Sequence, residues 1–357
     1  MACCNMRTRV AHVLPFFQPE HPDVNGSDDT GFHRREEGDV PPEVICLGET
    51  MALMAPESGG PLARAELLRL RVAGAESTVA QYLSDLGHRT AWASRLGRDP
   101  FGARVAAALA GSGVDTTLVG YDEQAPTGCY FKDPAPEGSR VHYYRRGSAA
   151  SRMSAADARA LPLDGVRLLH LTGITPALSA SCAELVDTLL TRAAEAGVPV
   201  SFDVNHRAAL WEPGRAAPVL RELAARADTV LVGRDEAEEL WGTTTAEAVR
   251  EHLGPRGTLV VKDGAVGATE FPVPASASEP VFVPAPAVDV VEPVGAGDAF
   301  AAGYLSGALR GLPSRERLLL GHRLAARTLR SLDDYVPVPA AERGPPPHRD
   351  EPPTGEH

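Results

Sequence analysis

The sequence predicts an α/β fold with a central, mostly parallel sheet flanked by helices on both faces and a small antiparallel sheet beside it. Three observations carry that prediction. Strand-like and helix-like runs alternate from about residue 43 to residue 339, two pairs of strand-like runs interrupt the alternation, and a Gly-rich turn late in the chain opens onto a helical pattern.

The first unit is a strand Val44-Ile45-Cys46-Leu47 closed by Gly48, followed by a helix carrying Val79, Tyr82, Leu83 and Leu86 on one face until Gly87 stops it. A strand from Thr90 to Ser94 and a helix with Val105 and Leu109 make the second unit. Later units repeat the rhythm: a strand Leu168 to Leu171, a helix Ala180 to Ala196 with Ser181 and Glu184 in capping-box spacing, and a strand Val198 to Asp203. A helix near Ala216 to Ala227 and a strand Thr229 to Val232 follow. Strands joined through helices must run parallel, so the sheet is expected to be apolar and covered on both faces. The interruptions are Met51 to Pro56 with Leu67 to Val72, and Gly128 to Lys132 with Val141 to Arg145, the latter joined by a Pro/Gly loop.

Chemistry concentrates at Val294-Gly295-Ala296-Gly297-Asp298-Ala299-Phe300. A short β-type run, Val288 to Val291, precedes it, and Phe300, Tyr304, Leu305, Ala308 and Leu309 recur behind it at helical spacing. Gly295 and Gly297 let backbone N–H groups approach an anion, and a helix N-terminus adds free donors and a favourable dipole. Asp298 in the first turn could take a proton from an attacking hydroxyl. The plain alternative is a Gly-rich turn with Asp298 as a helix cap. A dinucleotide fingerprint fails because Phe300 stands where Gly or Ala is needed, and no Walker A loop occurs in the chain.

These residues resemble the PfkB, or ribokinase-like, sugar kinases, whose C-terminal signature carries GAGD with the Asp as base. The N-terminal signature of that family is similar to Ala73-Gly74-Ala75-Glu76-Ser77-Thr78-Val79-Ala80, Leu86-Gly87 and Ser94 to Gly102. The resemblance spans roughly Val44 to Pro339 and implies a ribokinase-like fold in which the interrupting strands form a β lid over the sugar and often a dimer contact. Tyr130-Phe131-Lys132, Tyr143 to Ala150, His170 to Leu178 and Phe202 to Arg207 look most like 2-keto-3-deoxygluconate kinases. A sugar acid calls for a guanidinium fork, which the arginines of these segments could supply.

The resemblance implies ATP and Mg2+ as cofactors, Asp298 as catalytic base, and Gly295, Ala296 and Gly297 as the anion hole. It implies substrate contacts from Gly74, Tyr130, Tyr144, Arg146 and Arg207. Tyr143 and Tyr144 must point to opposite faces of their strand, so one of the two can face the sugar. For the nucleotide it implies Glu236, Lys262, Gly264 and Gly267, with Glu236 holding Mg2+ through water. The sequence departs from the family at Gly233, where an Asn is usual, at Thr78, often Asn, and at Glu292-Pro293-Val294, usually Asp-Thr-Thr. The last change puts monovalent-cation activation in doubt. A fructokinase-like or ribokinase-like kinase of a neutral sugar, or a non-catalytic sugar-sensing protein, are the alternative functions.

Composition bounds the rest. With 357 residues, 43% hydrophobic and 23% charged, the chain can bury one large core, and a net charge of −12 argues against general affinity for nucleic acid or anionic membranes. No run is long and apolar enough for a membrane span or a signal sequence, and five cysteines without metal-ligand spacing read as free thiols of a reducing compartment, the cytoplasm. A homo-oligomer is expected through the lid. Residues 1–42 and 340–357 lack periodicity and are expected to be a leader and a Pro-rich tail outside the kinase domain at 43–339.

Overall fold

A computed structural model describes residues 40–135, 140–273 and 279–343. A nine-stranded sheet has the strand order β13-β12-β11-β10-β9-β8-β1-β4-β5, and a separate four-stranded sheet has the order β3-β2-β6-β7. In the large sheet the strands are β1 (Val44–Leu47), β4 (Thr90–Gly97), β5 (Val119–Asp122), β8 (Leu168–Thr172), β9 (Val200–Asp203), β10 (Thr229–Gly233), β11 (Thr258–Asp263), β12 (Gly267–Phe271) and β13 (Val281–Pro284). All pairs from β5 through β11 are parallel, and β12 and β13 add an antiparallel edge.

Alternation along β1 shows why both faces are covered. Ile45 and Leu47 point into one core with α5 (Ala180–Ala196) and α6 (Pro213–Arg226), while Val44 and Cys46 point into the other with α1 (Ala75–Asp85), α2 (Pro100–Gly111) and α9 (Ala296–Leu309). Helix α9 is buried almost all round, and α10 (Ser314–Leu329) closes over it. That approach depends on missing side chains: a Cβ on Gly303 would lie 2.6 Å from the Leu320 carbonyl oxygen. The shorter helices are α3 (Ala155–Ala160), α4 (Ile174–Leu178), α7 (Arg234–Trp241) and α8 (Ala246–Leu253).

The strand order reverses between β8 and β1, the kind of switch point at which α/β sheets place ligands beyond their C-terminal strand ends. Around that end stands the small sheet: β2 (Met51–Pro56) with β3 (Leu68–Ala73), and β6 (Cys129–Asp133) with β7 (Arg140–Tyr144), each pair antiparallel. The two hairpins lie side by side through a parallel β2–β6 pairing.

Several boundaries differ from expectation. Val288 to Val291 is not a strand; Val290 and Val291 are more than half exposed, and the Val291 N–H bonds to the Leu329 carbonyl at 2.7 Å, satisfying a free end of α10 instead of a sheet. Ser179, not Ser181, caps α5, accepting the Cys182 N–H at 3.1 Å. Of the expected leader only residues 40–42 are described, and of the expected tail only 340–343, where Ala340–Glu342 forms a 3-10 turn and Arg327 pairs with Glu342. Among the described residues no helix is long and apolar enough to cross a membrane.

Candidate active site

The Gly-rich turn folds as the first turn of α9. Gly295 is its N-cap in the left-handed region at φ +83°, and a Cβ there would meet the Asp334 carbonyl oxygen at 2.8 Å, so both backbone conformation and space demand glycine. Ala296, Gly297 and Asp298 follow within the first turn, whose N–H groups have no carbonyl one turn back to bond. The Ala296 N–H reaches the Pro293 carbonyl only at 3.4 Å. Three converging donors at a helix N-terminus suit a phosphoryl group.

Asp298 is held from β9. Past the end of that strand Asn205 adopts φ +41°, the one non-Gly residue at positive φ among those described, and its Nδ2 donates to Asp298 Oδ1 at 3.1 Å. Asn tolerates this conformation better than most residues, and a strained backbone that aims a side chain at an acid is typical of functional sites. Burial pushes the Asp298 carboxyl up to about 6; Arg207 and Lys262 oppose the rise while Asp203 and Asp334 add to it. A base of that strength is ionised at neutral pH yet can still hold a proton, as general base catalysis requires.

Lys262, at the end of β11, donates to Asp203 Oδ2 at 2.7 Å, and its Nζ lies 3.6 Å from where a Gly297 Cβ would be. Its ammonium therefore flanks the anion site. The Arg207 side chain is 40% exposed; its Nη1 donates to the His206 carbonyl at 3.0 Å and lies 3.9 Å from Glu236 Oε1, a long ion pair. Glu236 Oε2 accepts the Gly233 N–H at 2.8 Å, capping α7 from within. Burial, followed by the repulsion of Asp203, raises the Glu236 carboxyl, with Lys262 opposing. Gly264 (φ +46°) and Gly267 (φ +154°) shape the β11–β12 turn just beyond Lys262; at Gly267 a Cβ would strike the Val283 carbonyl at 2.4 Å.

Glu76 comes from the first turn of α1 and is fully buried. Its Oε1 accepts from Thr172 at 2.6 Å and Thr175 at 3.1 Å, and burial raises the carboxyl to about 7. Gly48 makes room for it, since a Cβ there would fall 2.0 Å from its carboxyl carbon. Gly74 caps the same helix, and its own Cβ would meet the Glu49 carbonyl and Thr50 Oγ1 at 2.6 Å. Buried oxygens without a hydrogen-bond partner include Asp203 Oδ1, Asn205 Oδ1 and Glu76 Oε2. Unpartnered acceptors cost free energy when buried, so these mark where a ligand, water or hydrated cation would be welcome.

The lid contributes one face. Tyr130 pairs across the strands with Tyr143, ring centroids 5.5 Å apart, and burial raises its hydroxyl well above the usual range. The same face carries Lys132 and continues to Arg145, whose Nε donates to Glu49 Oε2 at 2.6 Å. Tyr144 and Arg146, expected beside Tyr130, are not brought to it: Tyr144 is 65% exposed with its ring on Phe131, on the opposite face, and Arg146 is exposed beyond the strand end. A strand turns alternate side chains to opposite faces, and which of two adjacent tyrosines faces inward depends on the β6–β7 register, which places Tyr143 opposite Tyr130. Sequence reasoning also passed over Asp203 and Asn205; their position at the end of a central strand was the available signal.

Among the described residues no three His, Cys, Asp or Glu side chains are arranged to hold a metal ion. The unpartnered oxygens of Asp203 and Asn205 fit a magnesium ion that keeps most of its waters, and Glu236 is a second-tier acid beside them.

The pfkB family carbohydrate kinase model matches residues 41–341. The chain is 34% identical to 2-dehydro-3-deoxygluconokinase of Bacillus subtilis, covering 84% of this chain and 94% of that protein. It is 32% identical to 2-dehydro-3-deoxygalactonokinase of Haloferax volcanii, covering 80% and 90%. Among solved structures, a PfkB protein from Polaromonas sp. JS666 superposes with a TM-score of 0.73 at 39% identity, covering 82% of this chain and 98% of that one.

Proposed function

We propose that this chain, which belongs to the pfkB family of carbohydrate kinases, phosphorylates a small sugar acid with ATP. The chain is an ATP-dependent sugar-acid kinase, with 2-keto-3-deoxygluconate, for which several of its relatives are named, as its acceptor. The observation that carries the mechanism is Asp298 at the first turn of α9, held by Asn205 and flanked by Arg207 and Lys262.

The acceptor hydroxyl lies against Asp298, which takes its proton as the oxygen forms a bond to the γ-phosphorus and the bond to the β–γ bridging oxygen breaks. The N–H groups of Ala296, Gly297 and Asp298 and the Lys262 ammonium stabilise the charge on the transferring group. Asp203, Asn205 and Glu236 would hold magnesium through water, and it would there neutralise charge on the nucleotide phosphates. Arg207, whose side chain is 40% exposed and whose ion pair with Glu236 is long, binds the acceptor carboxylate in bidentate fashion, which a neutral sugar could not use. From the lid, Tyr130 and Tyr143 face the acceptor, while Gly74 leaves room at its other side. Gly264 and Gly267 shape the turn along which the nucleotide lies. The reaction then belongs to the cytoplasm, where ATP is available. Exposed Leu67, Leu68 and Tyr144 on the small sheet support a homo-oligomer through the lid.

The test is magnesium-dependent ADP release with 2-keto-3-deoxygluconate, fructose, ribose and gluconate. Preference for the keto-deoxy acid that is lost in Arg207→Ala is the expected result. Turnover of a neutral sugar would keep Asp298 as base and discard the carboxylate clamp.

A further inference from the structure

Lys132 reaches from β6 of the lid to the segments that wall the first turn of α9. Its side chain is 7% exposed, and its Nζ lies 3.3 Å from Glu292 Oε2 and 3.7 Å from Asp334 Oδ1. Glu292 stands three residues ahead of Gly295, and its Oε1 accepts the Val294 N–H at 3.3 Å, so it braces the approach to the helix. Asp334 packs on the helix cap itself: its backbone is what a Cβ on Gly295 would strike. Its Oδ1 is buried without a hydrogen bond, so electrostatic attraction is what that oxygen receives there. Burial raises the Asp334 carboxyl, and Lys132 is the first opposing influence, ahead of Arg71.

Two carboxylates behind an anion site oppose the arrival of phosphate unless a cation neutralises them. In this chain the cation is covalent and belongs to the lid. A second lid residue, Arg71 of β3, bonds to Asp333 Oδ1 at 2.8 Å and to the Leu332 carbonyl at 2.5 Å, anchoring the outer edge of the same turn. Asp333 is 54% exposed, so that contact is screened by solvent, whereas the Lys132 cluster is not.

We infer that Lys132 is a positioning residue for phosphoryl transfer: its ammonium neutralises Glu292 and Asp334 and fixes the turn into α9 when the lid strand is in place. The inference rests on the kinase reading of the same site. It couples lid and anion site through one side chain, so that the lid does more than exclude water.

The experiment compares wild type, Lys132→Met, and Lys132→Met combined with Glu292→Gln and Asp334→Asn. The single variant should lose about 30-fold in kcat with little change in KM for the sugar acid, less than the 10²–10³ lost with a direct donor. Removing both acids should restore kcat to within about threefold of wild type, because it removes the charge that Lys132 offsets. Hydrogen exchange supplies a readout independent of any substrate: amides of residues 292–298 should exchange about tenfold faster in Lys132→Met, with β8 unchanged. The inference is overturned if kcat of the single variant stays within about threefold of wild type, or if the triple variant remains as slow as the single one. Unchanged exchange at 292–298 overturns it as well, even if wild type phosphorylates no sugar in the panel, an outcome that would instead count against the kinase reading.

Discussion

The large sheet and the small sheet that forms the proposed lid are held by different forces, and the candidate active site lies where they meet. Strands β8 to β11 share one aliphatic core face, with Leu169, Phe202, Val230 and Leu259 all fully inaccessible. The lid has a small apolar cluster of Met51, Leu53, Ala73 and Tyr130; besides Val72 packed on the large core and Arg104 of α2 donating to the Leu70 carbonyl, it is tied to the body of the molecule by ion pairs, Arg145 to Glu49, Lys132 to Glu292 and Asp334, and Arg71 to Asp333. Apolar packing has no preferred direction and does not weaken with salt, so it suits a platform that must hold Asn205, Asp298 and Lys262 still. Ion pairs are directional and can be exchanged for water, so they suit a cover that has to admit a substrate.

The largest effect should come from the platform's chemistry. Asp298→Asn is expected to lower kcat by about 10³, within the range for a general base, while KM stays within a few-fold of wild type. Stability should not suffer. Because burial raises the folded-state value to about 6, folding is favoured by the protonated form and that advantage is lost as pH rises through 6, so a neutral Asn should melt no lower than Asp at pH 7.5. A lower melting temperature would mean that the Asn205 hydrogen bond outweighs the burial of charge.

Next comes packing. Phe202→Ala, in the middle of the large sheet, should cost about 3–5 kcal/mol in denaturant unfolding. Tyr144→Ala, on the outer face of the lid, should cost less than about 0.5 kcal/mol. Comparable losses would break the contrast between a packed platform and a lightly attached cover.

A smaller effect tests the electrostatics between the two. Activity should fall as pH drops through about 6, where Asp298 takes up its proton. Arg207 lowers that value, so Arg207→Ala should move the acid limb of the kcat profile to higher pH, along with raising KM for the acid substrate. A limb that stays in place would place Arg207 too far from the base to sense it. A small effect is also expected from Arg71→Ala, under about 1 kcal/mol, since its partner is largely exposed; added salt should mimic it in wild type.

Much of this was legible in the chain. The alternation of β1, α1, β4 and α2 follows from hydrophobic period, and α5 runs from Ala180 to Ala196 as its pattern and stops require. Gly295, Gly297 and Asp298 are placed at the start of α9 by the small residues and the apolar period behind them, a pattern local in sequence. Val288 to Val291 shows the limit of local reading, since a β-branched run with no neighbouring strand to pair with stays irregular.

What the sequence by itself determined is therefore what short-range chemistry dictates: the α/β alternation, and the Gly-rich turn that opens α9 with Asp298 in its first turn. The tertiary structure alone decided the rest. That Tyr143 and not Tyr144 stands with Tyr130 follows from strand register, and that Asn205 reaches Asp298 across 93 residues of chain follows from the order of strands in the sheet. The meeting of Lys132 with Glu292 and Asp334 is of the same kind, joining the lid to two distant loops. Side-chain period and turn chemistry are properties of neighbours along the chain, whereas the pairing of distant charges and faces exists only after the strands have taken their places.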